Sequence, residues 1–293
     1  MKYLLLLLTC AFILPNAYAQ TWGCGERDFK CQLDVRMKAL KDDPRNPENY
    51  YNLGIVFQRT GAHDQAIESF TMYIAIPGVT PELQADGYNN RGISQRALNR
   101  LELAIADYTK AIELNPKKPE YLVNRANASV DMKKADAAME DYARAIAVDP
   151  KYAPAYSGRG GIYAATARNQ EALTDLSKAI ELNPQGAEQF YTRAMVYRAT
   201  KEFSKAIPDL DKYIALNPGN AQYLADGYLN RGIAYVYTNK IELAIADVSK
   251  AIELSPRYID PYRARALMYR QIKKIDLAEA DERKAAELSA AQK

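Results

Sequence analysis

Apolar and polar residues follow each other along this chain with the period of an amphipathic helix. From residue 47 to the C-terminus, apolar side chains recur at steps of three and four residues, which places them on one side of a helix. The helical segments also repeat: "LELAIADYTKAIELNP" at residues 101–116 returns as "IELAIADVSKAIELSP" at residues 241–256. The pattern predicts a chain built from repeated helices.

The repeat has a period of 34 residues, and each period reads as two helices. Position 20 is alanine in every repeat, position 8 is small and position 4 is large, so paired helices can approach closely. Proline at position 32 ends the second helix in five repeats. The seven predicted repeats are residues 47–80, 85–118, 119–152, 153–186, 187–220, 225–258 and 259–292.

This pattern resembles the tetratricopeptide repeat family, which also favours an aromatic residue at position 11 and alanine at position 27. The resemblance covers residues 47–292 and implies an all-α fold. The implied architecture is a right-handed α-solenoid of tandem helix-turn-helix repeats, in which each repeat contacts only its neighbours. Residues 28–44 resemble the second helix of a preceding half repeat. Glu279 and Glu282 make the outer face of the last repeat polar, which indicates that the array ends there.

Two departures from the pattern predict local geometry. The steps after the first and fifth repeats are 38 residues, and position 27 of both repeats is tyrosine, Tyr73 and Tyr213. Four residues are about one helical turn, so we predict that the next helix begins one turn early, displaced by the large tyrosine. The matching steps, 140 residues apart, indicate a duplicated block of four repeats. Position 11 is Gln95 and Ser129 in the second and third repeats, where we expect poorer packing.

Arginine at position 7 and aspartate at position 23 occur together in six repeats and are both absent from the first. We interpret this as an ion pair that bridges the two helices of a repeat, with an anion site on the arginine as the alternative. The predicted pairs are Arg91 with Asp107, Arg125 with Asp141, Arg159 with Asp175, Arg193 with Asp209, Arg231 with Asp247, and Arg265 with Asp281.

The resemblance also implies where a partner binds. In this family, positions 2, 5, 9, 12 and 13 of the first helix mainly line the concave surface. Family members that clamp a C-terminal carboxylate need basic residues at positions 2 and 5, whereas only Arg263 is basic there in this chain. Chaperone tails are therefore not expected as ligands. The convex face or the N-terminal segment is the alternative binding surface. The predicted groove for a protein or peptide consists of Tyr51, Ile55, Asn89, Arg96, Asn127, Asp131, Tyr191, Met195, Arg198, Tyr237, Arg263 and Arg270.

The first residues have the pattern of a secretory signal peptide. Lys2 precedes an apolar run to Leu14, and small residues follow at Ala17 and Ala19. The run is too short to span a bilayer, so we predict a signal peptide over residues 1–19 and export to the periplasm or beyond. A buried N-terminal helix is the alternative, and no later stretch is apolar enough to span a membrane.

Cysteine usage fits this prediction of export. Cleavage after Ala19 removes Cys10 and leaves Cys24 and Cys31, an even number in an oxidising compartment. We predict a disulfide between them in an N-terminal segment over residues 20–46, with two free thiols as the alternative.

Charge and side-chain chemistry narrow the function further. A net charge of +3 without long runs of one sign gives no nucleic-acid footprint. His63 is the single histidine. No serine or cysteine has a histidine partner in the repeat pattern, and no cluster of histidine, cysteine and aspartate has the spacing of metal ligands. We therefore predict no catalytic site, cofactor or metal. The sequence predicts an exported, monomeric, non-enzymatic scaffold that binds a protein or peptide in envelope assembly or secretion. The alternatives are a secreted effector acting on host or neighbouring cells and an envelope-glycan-binding module.

Overall fold

The computed structural model describes Gly25, residues 28–216 and residues 219–291. Over these residues the fold is all-α, with fifteen helices and no strand. The chain divides into two compact parts at residues 159 and 160, which we call the N-terminal half and the C-terminal half.

Helices follow each other at short intervals through both halves. The first helices of the seven repeats are α2 (Pro47–Arg59), α4 (Pro81–Ala97), α6 (Pro119–Asp131), α8 (Ala153–Ala165), α10 (Ala187–Ala199), α12 (Ala221–Tyr237) and α14 (Ile259–Gln271). The second helices are α3 (His63–Ala75), α5 (Leu101–Leu114), α7 (Ala135–Val148), α9 (Asn169–Leu182), α11 (Phe203–Ala215), α13 (Ile241–Leu254) and α15 (Ile275–Ala290). The preceding helix α1 (Phe29–Asp42) packs on α2, as a half repeat would.

Small residues let the two helices of a repeat pack closely. A Cβ atom on Gly92 of α4 would lie 2.8 Å from the Tyr108 ring of α5, and one on Gly232 of α12 would lie 2.8 Å from Val248 of α13. Each second helix also contacts the next first helix within its half, which makes each half a stack of helical hairpins, the α-solenoid architecture. The position-20 alanines are all completely buried: Ala66, Ala104, Ala138, Ala172, Ala206, Ala244 and Ala278.

The turn inside each repeat has one backbone conformation throughout. The residue at position 15 has a left-handed backbone, with φ of 76° at Gly61 and between 56° and 62° elsewhere. The next N–H donates to the carbonyl oxygen at position 11 over 2.7–2.9 Å, which closes the end of the first helix. A left-handed backbone costs a non-glycine residue about 1–2 kcal/mol, so helix packing holds these turns. The non-glycine residues are Asn99, Lys133, Ala167, Lys201, Asn239 and Lys273.

Helices α4 and α12 begin one turn earlier than the other first helices, as the 38-residue steps predict. Each has 17 residues, whereas the other first helices have 13. Thr80 caps α4 by accepting a hydrogen bond from the Leu83 N–H at 3.4 Å, and Asn220 caps α12 by accepting from the Gln222 N–H at 2.8 Å. These polar caps satisfy N–H groups that the added turn leaves without helical partners.

A tyrosine and a glycine fit together where each long helix packs on the helix before it. A Cβ atom on Gly87 of α4 would lie 2.6 Å from the Tyr73 ring of α3, and one on Gly227 of α12 would lie 2.8 Å from the Tyr213 ring of α11. We call each pair a Tyr–Gly joint. The missing glycine side chain makes room for the ring, a compensation that the sequence analysis did not anticipate.

Some repeat positions hold polar residues where the family pattern favours apolar ones, and these polar residues have distinct environments. Gln95 and Ser129 are both buried at position 11, and the Gln95 Oε1 atom has no hydrogen-bond partner among the described residues. Glu279 and Glu282 are exposed on α15, in agreement with a polar end to the array. None of the described helices is both long and apolar enough to cross a membrane.

Candidate functional site

The twelve residues of the predicted groove differ widely in exposure. Tyr237, Arg263 and Arg270 are exposed, and most of the others are half-buried. The structure corrects the expectation of exposure for Asn89 and Asn127, which are only 3% and 4% exposed. Their amides are used inside the protein, because the Asn89 Oδ1 atom accepts from Asn124 at 2.8 Å and the Asn127 Oδ1 atom accepts from the buried Tyr142 hydroxyl.

In the N-terminal half, the groove side chains are bound to their neighbours. The Tyr51 ring packs on Phe70 and Tyr73, with ring centroids 5.8 and 5.1 Å apart, and its hydroxyl accepts from the Asn90 amide at 3.0 Å. Burial raises the pKa of Tyr51, so the phenol is neutral. Ile55 is half-buried on the same helix. These contacts fix the orientation of the tyrosine.

A second pair of groove residues in the N-terminal half forms an ion pair. The Arg96 Nε atom lies 2.6 Å from the Asp131 carboxylate. Arg96 is at position 12 of the second repeat, and Asp131 is at position 13 of the third. The charge of this arginine is therefore already compensated within the protein.

The C-terminal half repeats the tyrosine arrangement. The Tyr191 ring lies 4.9 Å from the Tyr213 ring, and its hydroxyl accepts from the Asn230 amide at 3.1 Å. Burial raises the pKa of Tyr191 to about 12. Tyr191, Tyr213 and Asn230 thus have the contacts that Tyr51, Tyr73 and Asn90 have in the other half, as duplication would produce.

Arg198 departs from this equivalence. The corresponding residue of the first repeat is Gln58, so a guanidinium group takes the place of an amide. The Arg198 Nη1 atom donates to the Asn230 Oδ1 atom and lies 3.5 Å from the Met195 sulfur, while its Nε atom is buried without a hydrogen-bond partner. Burial lowers the pKa of Arg198, although the hydroxyls of nearby tyrosines partly oppose that shift.

Two exposed apolar side chains lie on the groove positions of the C-terminal half. Tyr237 is 64% exposed and stacks on Phe203 with ring centroids 4.0 Å apart, and Leu267 is 69% exposed. Sequence reasoning missed Phe203 and Leu267. Leu267 occupies position 9 of the seventh repeat. Position 9 is one of the positions from which the groove was predicted, so the same reasoning could have found it. Phe203 begins a second helix, which the groove template does not include.

The two arginines of the last repeat are held at the surface. Arg263 lies 3.4 Å from the Asp260 carboxylate and 3.3 Å from the Ser289 hydroxyl, and all these contacts are exposed. The Arg270 Nε and Nη2 atoms each donate to Glu282 at 2.8 Å. Both arginines are exposed, but neither is without a partner.

Acidic side chains lie at position 2 of these first helices. In the N-terminal half, the Asp86 carboxylate accepts from the Lys118 ammonium and the Tyr121 hydroxyl. In the C-terminal half, burial raises the pKa of Asp226, while hydrogen bonds from Tyr258 and Gln222 oppose the shift. Both carboxylates lie beyond the first turn of their helices, which begin at Pro81 and Ala221.

The structure brings together five of the six predicted arginine–aspartate pairs. In each pair, the guanidinium Nε and Nη2 atoms donate to the two carboxylate oxygens over 2.7–2.8 Å, and the aspartate is only 4–8% exposed. Arg159 and Asp175 lie on either side of the division between the halves, and their pairing stays a prediction. The five pairs are Arg91–Asp107, Arg125–Asp141, Arg193–Asp209, Arg231–Asp247 and Arg265–Asp281.

Two other predictions fall outside the described residues. These are the signal peptide over residues 1–19 and Cys24, the predicted partner of Cys31, so the disulfide stays a prediction. Within the described ranges, no group of three or more histidine, cysteine, aspartate or glutamate side chains is arranged to hold a metal ion.

Sequence comparison identifies one family along most of the chain. Models described as tetratricopeptide repeat match residues 37–68, 85–118, 123–187, 157–221 and 225–258. No curated protein matches the chain in sequence.

Three solved structures illustrate the similarity in fold. A chain of the APC/C hetero-tetramer Cut9-Hcn1 matches with a TM-score of 0.64 at 19% identity, over 89% of this chain and 50% of that one, so this chain spans half the length of that relative. Pseudomonas aeruginosa pilF matches with a TM-score of 0.63 at 16% identity, over 82% and 99% of the two chains. YrrB, described as a TPR protein with an unusual peptide-binding site, matches with a TM-score of 0.53 at 24% identity, over 68% and 98%.

Proposed function

The chain belongs to the tetratricopeptide repeat family, and on that premise we propose that it is a non-enzymatic adaptor that holds an extended protein segment. The segment lies against the first helices of the C-terminal half. One observation carries the proposal: Tyr237 and Leu267 are 64% and 69% exposed on two successive first helices. When a partner covers large apolar side chains that are otherwise exposed to water, the free energy of the complex is lowered.

The neighbouring aromatic residues are already ordered for binding. Tyr191 is held by Tyr213 and by the Asn230 amide, and Tyr237 is stacked on Phe203. A side chain that is fixed before binding loses little conformational entropy when the partner arrives. YrrB, a TPR protein with an unusual peptide-binding site, supports binding of a peptide by the present chain as well.

The proposed place of action is outside the cytoplasm. Lys2, the apolar run to Leu14 and the small residues at Ala17 and Ala19 support export through a cleaved signal peptide. In such a compartment an adaptor of this family would serve envelope assembly or secretion. Action on another cell and binding of envelope glycans are the alternative functions.

Binding is tested with a displayed library of random peptides that have both ends joined to flanking sequence. We expect the protein to select peptides whose affinity falls at least about tenfold in the variant Tyr237→Ser, Leu267→Ser, because these side chains supply apolar contact area. The matched control is Leu243→Ser, which replaces a leucine that is 50% exposed on a second helix of the same half. Equal binding by both variants, or no selected peptide at all, would refute the proposed groove.

Export is tested by expressing the full chain in a bacterium and fractionating the cells. We expect the protein in the periplasmic fraction or the medium, with Gln20 as its first residue. Intact-mass measurement after thiol alkylation then reports on the cysteines. Two alkylated cysteines in the unreduced sample would contradict a Cys24–Cys31 disulfide, and an uncleaved chain in the cytoplasm would contradict export.

A further inference from the structure

We propose that Arg198 recognises an aspartate or glutamate side chain of the segment bound to the C-terminal half. This inference rests on the proposed function, because it names the chemistry of the same groove. The partner segment accordingly carries an acidic residue that enters beside Tyr191 and Tyr237 and binds the guanidinium group.

The other arginines of the C-terminal half show what this group binds. In Arg193, Arg231 and Arg265, the Nε and Nη2 atoms donate in parallel to one aspartate over 2.7–2.8 Å. The same two atoms of Arg270 bind Glu282. This edge of a guanidinium group matches the two oxygens of a carboxylate. The protein thus uses one mode of carboxylate binding repeatedly.

Among the described residues, no hydrogen bond to this edge of Arg198 is formed. Its hydrogen bonds are made by Nη1, to Asn230 and Met195, while Nε is buried without an acceptor. No carboxylate among the described residues forms an ion pair with it, and the ionisable groups that influence its pKa are the hydroxyls of Tyr191, Tyr237 and Tyr258. A buried donor without an acceptor and a charge without a counter-ion both disfavour the free state. A carboxylate of the ligand supplies both the missing acceptor and the missing counter-ion.

The N-terminal half provides two internal comparisons. Gln58, at the equivalent position, donates to the Asn90 carbonyl oxygen at 2.7 Å and to the Ser94 hydroxyl at 2.9 Å, so its amide is satisfied. Arg96 is charged, but Asp131 neutralises it from position 13 of the next repeat. For Arg198, that position holds Tyr237 instead of an acid. Of the three residues compared, only Arg198 has a charge that is not compensated by a described carboxylate.

The surroundings favour a carboxylate on a side chain over other anions. Because the Arg198 Nε atom is buried, a flexible side chain can reach it without burying main-chain amides of the ligand that would need partners of their own. A single positive charge also balances one carboxylate better than a doubly charged phosphate group.

The experiment compares peptide selection by the wild-type protein and by Arg198→Gln. We expect peptides selected on the wild type to share an acidic residue at one position, and those selected on the variant to lack it. One selected peptide is then labelled with fluorescein, and its affinity is measured by anisotropy with its acidic residue intact or changed to the amide. The protein change and the peptide change should each weaken binding about tenfold. Together they should weaken it no more than either change alone, because they remove the same contact.

Three controls separate recognition from folding and from general charge. Arg198→Gln introduces the residue type that the N-terminal half has at the equivalent position, Gln58. The circular dichroism spectrum and melting curve of this variant should match those of the wild type. Arg168→Gln should leave peptide affinity unchanged, since Arg168 is not a groove residue and lies in an exposed pair with Glu171. Arg198→Lys should bind less tightly than the wild type, because an ammonium group lacks the paired donors.

Each outcome bears on one proposal or on both. Peptides that bind through Tyr237 and Leu267 but share no acidic residue would overturn the role of Arg198 and leave the adaptor function standing. Equal affinity of a selected peptide with its acidic residue intact and with that residue changed to the amide would overturn the side-chain assignment. If no peptide is selected, both the adaptor function and the role of Arg198 fall.

Discussion

At the scale of single residues, the arginines at position 7 are held more firmly than ordinary surface ion pairs. Asp209 is only 5% exposed, and Arg193 reaches it with two donors while a third donates to the Ser177 hydroxyl at 3.0 Å. The hydrogen bonds that Arg193 donates to Asp209 keep the pKa of Arg193 above its ordinary value. Such a pair costs little when intact, but leaves a buried charge when one partner is removed.

Arg193→Leu should therefore destabilise the protein strongly. We expect the free energy of unfolding to fall by about 3 kcal/mol, and the added change Asp209→Leu to restore part of that loss, because it removes the stranded carboxylate. Urea unfolding followed by circular dichroism measures both. The control Lys178→Ala, which breaks an exposed pair with Glu181, should change stability by less than about 1 kcal/mol. Strictly additive losses for Arg193 and Asp209 would show that the pair does not interact.

The two glutamines near the second repeat should respond in opposite directions to the same change. Gln95→Leu removes a buried carbonyl group that has no partner, and should raise the free energy of unfolding by about 1–2 kcal/mol. Gln58→Leu removes an amide that donates to Asn90 and Ser94, and should lower it by about 1 kcal/mol. Thermal melts of the two variants give the comparison, which fails if Gln95→Leu proves the less stable of the two.

The residue scale also shows where sequence reasoning succeeds and fails. The recurrence of arginine with aspartate across repeats predicted contacts, because a pair that is lost and gained together implies an interaction. Burial of Asn89 and Asn127 could not be read in the same way. The template places both on groove positions, and only the contacts with Asn124 and Tyr142 show that their amides are used internally.

At the scale of helices, each Tyr–Gly joint depends on both of its members. Gly227→Ala should lower the free energy of unfolding by about 1–3 kcal/mol, since the new methyl group would lie 2.8 Å from the Tyr213 ring. Combined with Tyr213→Ala, the glycine change should cost much less than it does alone. Urea melts of the two single variants and the double variant measure this coupling.

Gly161 supplies the matched control for that experiment. It lies in helix α8, and a Cβ atom there would have nothing within 4 Å. Gly161→Ala should therefore raise stability by about 0.5–1 kcal/mol, as alanine does in an open helix position. If Gly227→Ala behaved like Gly161→Ala, the joint would not be tightly packed.

The extent of each helix was largely predictable, whereas the chemistry of the turns was not. The 38-residue steps and the Thr80-Pro81 start signal gave the early beginning of α4. The left-handed residue at position 15 is glycine only at Gly61, and lysine, asparagine or alanine elsewhere. Lysine and alanine carry no signal for a positive φ, because helix packing rather than local preference imposes it.

At the scale of the whole molecule, the ends of a repeat array should open before its middle. Helix α1 contains no buried residue, and α15 buries only Ala278, Asp281 and Ala285, whereas α5 buries five residues and is packed on both sides. Since stability in such arrays comes from contacts between neighbouring repeats, we expect the amides of α1 and α15 to exchange fastest. Hydrogen exchange with mass spectrometry measures this order. Uniform exchange along the chain would contradict it.

The candidate site was predictable from the sequence in position but not in character. The repeat template named Tyr191, Arg198 and Tyr237 as groove residues. It could not show that Asn230 takes one side of the Arg198 guanidinium group and leaves the other without an acceptor. That property depends on which residue of the next helix reaches the arginine, and a comparison of template positions alone does not report distances.

The Tyr–Gly joints also bear on how such a chain can be recombined. Tyr73 and Gly87 belong to different 34-residue periods, yet the ring of one occupies the space that the other leaves empty. A genetic crossover at a turn inside a repeat keeps the two together. A crossover between Tyr73 and Gly87 can place the tyrosine against a larger side chain, or the glycine against an alanine. The smallest exchangeable part of this chain is therefore a second helix with the first helix that follows it, rather than the 34-residue repeat.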